Sequence, residues 1–145
     1  MIIVIKNILL PLTFITIASL VFSQETTKIN NQNKNEEFES FLYKFSSDSV
    51  FQINRIKFPL EYVTLNYDTY EEIKTTIDKK NWRMDYLFMN EEKRSQIYDN
   101  FSLSFKDTDE RVFCWHKVEN GINVMYFFKR IEGKWYLIKF EDTST

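Results

Sequence analysis

Hydrophobic positions change their period along this chain, and each change marks a different kind of element. Phe38, Phe41, Leu42 and Phe45 fall at i, i+3, i+4 and i+7, the spacing that gathers side chains on one face of a helix. Glu36, Glu37 and Glu39 open that stretch, where the positive end of the helix dipole favours acids. The Ser46-Ser47-Asp48-Ser49 cluster ends the helix. Ser49, with Gln52 three residues on, has the form of a capping box for a second, short helix. From Ile56 the period falls to two. Ile56, Phe58, Leu60 and Tyr62 alternate with Lys57, Pro59 and Glu61, which predicts a strand with Pro59 at an edge or a bulge. Asn66-Tyr67-Asp68 predicts a turn. Residues 71–78 suit a helix at Ile73 and Ile77, but their β-branched run assigns them to a strand. Trp82, Met84, Tyr86 and Phe88 alternate with Arg83 and Asp85 and predict another strand. Residues 90–99 predict a helix capped by Asn90, and Phe101, Leu103 and Phe105 alternate again.

The C-terminal third carries the clearest pattern. The chain has two glycines, Gly121 and Gly133, each between two apolar, β-rich segments. Asn120-Gly121 and Glu132-Gly133 suit two-residue hairpins, because glycine accepts the positive φ that such turns need. The expected result is a three-strand meander over residues 110–119, 122–131 and 134–142. Pairing Glu119 with Ile122 and Ile131 with Lys134 sorts the side chains onto two faces. One face carries Cys114, His116, Met125, Phe127, Ile138 and Phe140. The other carries Phe113, Trp115, Tyr126, Phe128, Trp135 and Leu137. A sheet with one wet face alternates polar and apolar residues, whereas both of these faces are apolar. Each therefore needs a cover. The N-terminal helices supply one. The curled sheet itself, a bound ligand or a second subunit supplies the other.

The start of the chain adds a destination. Lys6 precedes a charge-free run over residues 8–22, and Val21 and Ser23 are placed as in a secretory cleavage site. Residues 1–23 read as a signal peptide cut between Ser23 and Gln24. The alternative is an uncleaved anchor helix, which wants about 20 apolar residues and reaches that length only with Lys6 inside it. Residues 24–35 are polar and read as a disordered linker. A single α+β domain over residues 36–142 remains, periplasmic or extracellular, with no membrane association after cleavage. The lone cysteine, Cys114, leaves no intrachain disulfide, so the core alone must hold the fold. With 17% aromatics, including 14 Phe, the chain is not disordered. Its 19 Lys and Arg against 21 Asp and Glu form no basic block, which argues against nucleic acid as a partner.

Few residues offer chemistry. Cys114 and His116 point the same way on a strand and form a conceivable thiol–imidazole dyad. A metal would need two further ligands, and the plain alternative is a small core thiol beside a hydrogen-bonded histidine. Asp107 and Asp109 lack the glycine and closing acid of a calcium loop. No glycine-rich phosphate loop or nucleophile elbow exists, and the reading assigns no metal and no cofactor. His116 is thus the single catalytic candidate, with Asp85 or Asp109 as its acid. The aromatic face of Phe113, Trp115, Tyr126, Phe128 and Trp135 can line a ligand pocket, form a dimer surface or be ordinary core. Arg55, inside an apolar stretch, reads as a structural residue that pairs with Asp48 or another acid at the helix–strand junction.

The stretch Phe51-Gln52-Ile53-Asn54-Arg55-Ile56-Lys57-Phe58-Pro59-Leu60, preceded by Phe41-Leu42 and Phe45-Ser46-Ser47-Asp48-Ser49, resembles domain-of-unknown-function family 4348 of exported bacterial proteins. Trp82 and the closing Gly133-Lys134-Trp135-Tyr136-Leu137 add to the likeness, which spans residues 36–142. The resemblance implies a cystatin-like or nuclear-transport-factor-like α+β roll, with N-terminal helices packed on a curved, mostly antiparallel sheet. It carries over no catalytic residue. The expected function is a non-catalytic binding or interaction module, forming a homodimer through its sheet or taking a small ligand. The alternative is a small hydrolase or isomerase working through His116.

Overall fold

Helix α1 (Phe38–Ser47) buries the four residues of the predicted stripe, Phe38, Phe41, Leu42 and Phe45. A second helix, α2 (Ser49–Asn54), follows after one residue. Asp48 caps it, and its carboxylate accepts the Val50 and Phe51 amides at 2.9 Å each. This corrects the expected Ser49–Gln52 capping box. Asp48 stands one residue earlier and takes both free amides, and its position frees Gln52 to turn inward. The computed structural model describes residues 35–89, 95–117 and 121–145. The expected signal peptide, nearly all of the linker, residues 90–94 and Asn120 lie outside them. The described residues all belong to one unit, Asn31–Thr145.

Six strands form one sheet: β1 (Ile56–Leu65), β2 (Glu72–Ile77), β3 (Ser95–Tyr98), β4 (Glu110–Lys117), β5 (Ile122–Ile131) and β6 (Lys134–Asp142). Their spatial order is β2-β1-β6-β5-β4-β3. Strands β1 and β6 run parallel, and every other pair is antiparallel. Pro59 follows a cis peptide bond and lies where the β1–β6 register breaks, between Ile56 and Glu61. Since β1 has a neighbour on each side, the proline marks a bulge rather than an edge.

The meander forms with its registers shifted from expectation. Glu132 and Gly133 adopt φ of 50° and 78°, the tight turn that pairs Ile131 with Lys134. The last described pair of the β4–β5 ladder is instead Lys117↔Ile122. That slip of two residues leaves the faces intact, because side chains alternate with period two. The β5–β6 pair behaves differently. Phe128 faces Leu137, but its neighbour Phe127 faces Lys139, so Ile138 is the extra residue of a bulge. Beyond it every side chain of β6 changes face. Phe140 pairs with Tyr126 and stacks on it at 4.8 Å, which corrects its expected place beside Cys114 and Met125. Lys139 and Glu141 take the vacated side.

The two faces are thus unequal. Against α1 and α2 lies the core of Phe113, Trp115, Tyr126, Phe128, Trp135 and Leu137 with Phe140 added. Phe128 meets Phe38, Phe41 and Phe45 edge-on or near it, at 5.3–5.5 Å. On the far face Val112, Cys114 and Phe127 are buried, with Phe101 packed edge-on against Phe127 at 5.6 Å. Lys139 lies 4.7 Å above the Phe127 ring and pairs with Glu61 and Glu141. The bulge thereby makes part of that face polar.

The middle of the chain departs most from expectation. Residues 82–88 pair with no strand, residues 95–98 form β3 where a helix was expected, and residues 101–105 are turns and bends. Side chains organise these segments. Asn100 accepts the Ser102 and Ser104 amides and donates to Ser104 Oγ and Lys106 O, which curls residues 100–106 back on themselves.

Candidate functional site

Helix α1 has a second side. Glu39, Leu42, Tyr43 and Ser46 also follow the i, i+3, i+4, i+7 spacing, displaced around the helix from the core stripe. Facing them is the segment that ends at Leu87, Phe88 and Met89. Between the two lies a groove of about 490 Å³, lined by these residues with Ser47 and Ile97. That volume falls within the range of about 300–1,000 Å³ typical of small-ligand sites. Leu42 and Leu87 form a buried floor. Tyr43, Phe88 and Met89 stand at the rim, 76%, 55% and 61% exposed. Large apolar side chains left in solvent around one concavity mark a binding surface.

The groove wall is fixed by hydrogen bonds rather than by strand pairing. Gln52, fully buried, donates Nε2 to Phe45 O at 2.7 Å and to Asp85 O at 2.6 Å. Its Oε1 accepts Trp82 Nε1 at 2.9 Å and the Asp85 amide at 3.0 Å. One amide thus pins the chain at Trp82 and Asp85 to the α1–α2 corner with its main donors and acceptors satisfied. Ser46 Oγ donates to Leu87 O, and Trp115 Nε1 donates to Phe88 O at 3.4 Å. Tyr126 donates to the Asp85 carboxylate. Burial, reinforced by the nearby Asp85 and Asp142 charges, pushes the Tyr126 hydroxyl far above the usual phenol range.

The residues singled out from sequence fall in several places. Phe113, Trp115, Tyr126, Phe128 and Trp135 are all in the interior beneath the helices, none more than 8% exposed. Cys114 is buried on the far face, and its thiol, desolvated though bonded to Gln96 O at 3.5 Å, is pushed up to about 11. His116 shares that far face, opposite Asn123. Asp85 lies on the helix side against Tyr126, and Asp109 pairs with Arg130 at 2.9 Å. The structure therefore does not bring His116 together with either proposed acid. Arg55 meets Glu36 rather than Asp48, in a two-pronged contact of 2.9 and 3.0 Å. Glu36 also accepts the Trp135 amide, and its backbone O accepts Trp135 Nε1, both at 2.9 Å. This clamp ties the entry to α1 onto β6. Among the described residues no three His, Cys, Asp or Glu side chains gather as metal ligands, and no helix is long and apolar enough to cross a membrane.

A model of a domain of unknown function (DUF4348) matches residues 27–142. The chain belongs to this family. An NTF2-like protein from Bacteroides fragilis NCTC 9343, solved by crystallography, shares 27% identity at a TM-score of 0.56, over 77% of this chain and 48% of that one. This chain therefore spans about half of that protein's length. An NMR structure of a protein from Bacteroides uniformis ATCC 8492 matches at 24% identity and a TM-score of 0.49, covering 74% and 76% of the two chains. An NTF2-like protein of unknown function from Shewanella baltica OS155 matches at 9% identity and 0.42, covering 77% and 98%. No curated protein matches the chain.

Within this DUF4348 domain the residues that carried the resemblance have structural work. Gln52 is the hub, Arg55 the clamp, Pro59 the bulge and Leu60 part of the core. Gly133 makes the turn, while Trp135 and Leu137 fill the interior. Leu42, Ser46 and Ser47, which also carried the resemblance, line the groove. Neither Gln52 nor the clamp acid Glu36 was singled out for its structural part. Their only signal is polarity within or beside apolar runs.

Proposed function

We propose that this DUF4348 domain is a non-catalytic binding module whose site is the groove between α1 and the segment at Leu87–Met89. One observation carries the reading: an open apolar concavity rimmed by three large side chains left in solvent, while the sheet interior behind it is filled. A small apolar molecule in the groove gains by removing Tyr43, Phe88 and Met89 from water, at about 25 cal/mol per Å² of apolar surface buried. In this reading the module is exported, on the strength of the pattern in residues 1–23. A homodimer built through the sheet has only the far face left to it, where Glu61, Lys139 and Glu141 are charged. The enzymatic reading through His116 gains no support from a histidine set apart from Asp85 and Asp109.

The test uses N-phenyl-1-naphthylamine, a neutral fluorescent probe. The full chain should enhance its emission saturably, and Phe88→Asp, at an exposed position, should abolish the enhancement without lowering the melting temperature. No enhancement, or enhancement untouched by Phe88→Asp, would overturn the reading.

A further inference from the structure

The polar groups around the groove are of one kind. Ser46 Oγ donates its proton to Leu87 O, and Ser47 Oγ donates to Tyr43 O at 2.7 Å. Each hydroxyl is left with lone pairs only, so both face a ligand as acceptors. Glu39 contributes a carboxylate, and among the described residues it has no hydrogen bond or ion pair. Among the described lining residues the Tyr43 hydroxyl is the one side-chain donor not already spent within the chain, uncharged and in solvent. Among the described residues no lysine or arginine lines the groove. Glu39 also borders a neighbouring cleft that holds Arg111 and Arg130, but these are engaged elsewhere. Arg111 pairs with Asp99 and Asp107, and Arg130 with Asp109.

Resting on the binding-module reading, we propose that the ligand of this groove is an amphiphile with a cationic, proton-donating head at Glu39 and an apolar tail over Leu42 and Leu87. An alkylamine has this chemistry. Its ammonium group supplies donors to a site that offers acceptors, and its charge is opposite to that of the Glu39 carboxylate. A fatty acid has the reverse chemistry. Its carboxylate would sit beside Glu39 with no basic group among the described lining residues to meet it, and like charges held close repel. An alcohol lies between the two, able to donate but without charge. The binding reading needs only the apolar lining. This proposal needs the charge and proton pattern of Glu39, Ser46 and Ser47, so the two can fail separately.

The experiment is displacement of N-phenyl-1-naphthylamine from the full chain by decylamine, decanol and decanoate, each below its aggregation threshold. Decylamine should displace the probe at a concentration at least about tenfold lower than decanoate, with decanol between them, as expected when one charged contact is attractive in one case and repulsive in the other. Glu39→Gln, at an exposed position, should bring amine and carboxylate to within about threefold of each other. Equal or better displacement by decanoate overturns the proposal and leaves the binding module standing. An amine preference that survives Glu39→Gln also overturns it, since the preference then belongs to the chain's overall charge of −2. A wild-type chain that never binds the probe removes both.

Discussion

The two sides of helix α1 are a natural comparison. Toward the sheet, Phe38, Phe41 and Phe45 pack ring against ring on Phe128, and Phe38 also meets Trp135 edge-on at 5.1 Å. Gln52, the buried polar side chain at the end of that interface, has its bonds made. Toward Leu87–Met89 the same helix presents Glu39, Tyr43 and Ser46, with apolar rims in water and a carboxylate that has no partner among the described residues. A filled interior with satisfied polar groups explains a fold. An open apolar surface with unmatched acceptors is a cost the described fold does not require, and in the proposed reading a ligand covers it. The five core aromatics are filled interior, and the proposed site lies on the helix's other side.

The largest blow to the first side should come from Gln52→Leu. The leucine leaves the Trp82 indole, the Asp85 amide and two carbonyls without their partner, at about 1–3 kcal/mol for each orphaned group that water cannot reach. A loss of at least about 3 kcal/mol in urea unfolding is expected, with probe binding lost as well, because the groove wall hangs from this residue. A near-neutral result would mean that packing alone holds residues 82–89. Arg55→Ala comes next. It breaks a two-pronged, half-buried contact with Glu36 and should lower stability by about 2–3 kcal/mol without moving probe affinity, since the clamp lies away from the groove. An unchanged melting temperature would refute the clamp.

Alkaline pH acts through the interior in a graded way. Tyr126 is held protonated in the fold above its ordinary value of 10.0, and the Cys114 thiol rises from 9.0 to about 11. Both groups bind protons more tightly folded than unfolded. Their contribution is complete below pH 9 and is lost as the unfolded chain ionises above it. The urea midpoint should therefore fall between pH 8 and pH 10.5, and Tyr126→Phe should flatten that fall. The smallest stability change belongs to the second side. Phe88→Asp should lie within about 0.5 kcal/mol of the wild type while binding disappears. That separation of stability from binding is what the contrast between the two sides of α1 requires.

How far the pattern of residues reveals this arrangement depends on what holds each part. The stripe at Phe38, Phe41, Leu42 and Phe45 and the turn at Glu132-Gly133 are local, and both stand where the periodicity puts them. Alternation in the meander locates its strands but not the Ile138 bulge, because one inserted residue leaves a run as apolar as before. Trp82 to Phe88 alternates like a strand, yet its hydrogen bonds go to Gln52, Ser46, Trp115 and Tyr126. Those partners are distant in sequence, and no local pattern announces them. The groove was illegible for the same reason: Glu39, Tyr43 and Ser46 read as the solvated side of a helix until Leu87–Met89 is laid against it.

The most direct test of the ligand site is a map of where a ligand lands. Amide shifts of the isotopically labelled chain on titration with decylamine should concentrate at residues 39–47, 87–89 and 97. Shifts centred instead on Trp82 and Phe140, or on the far face around Met125 and Ile138, would contradict the account.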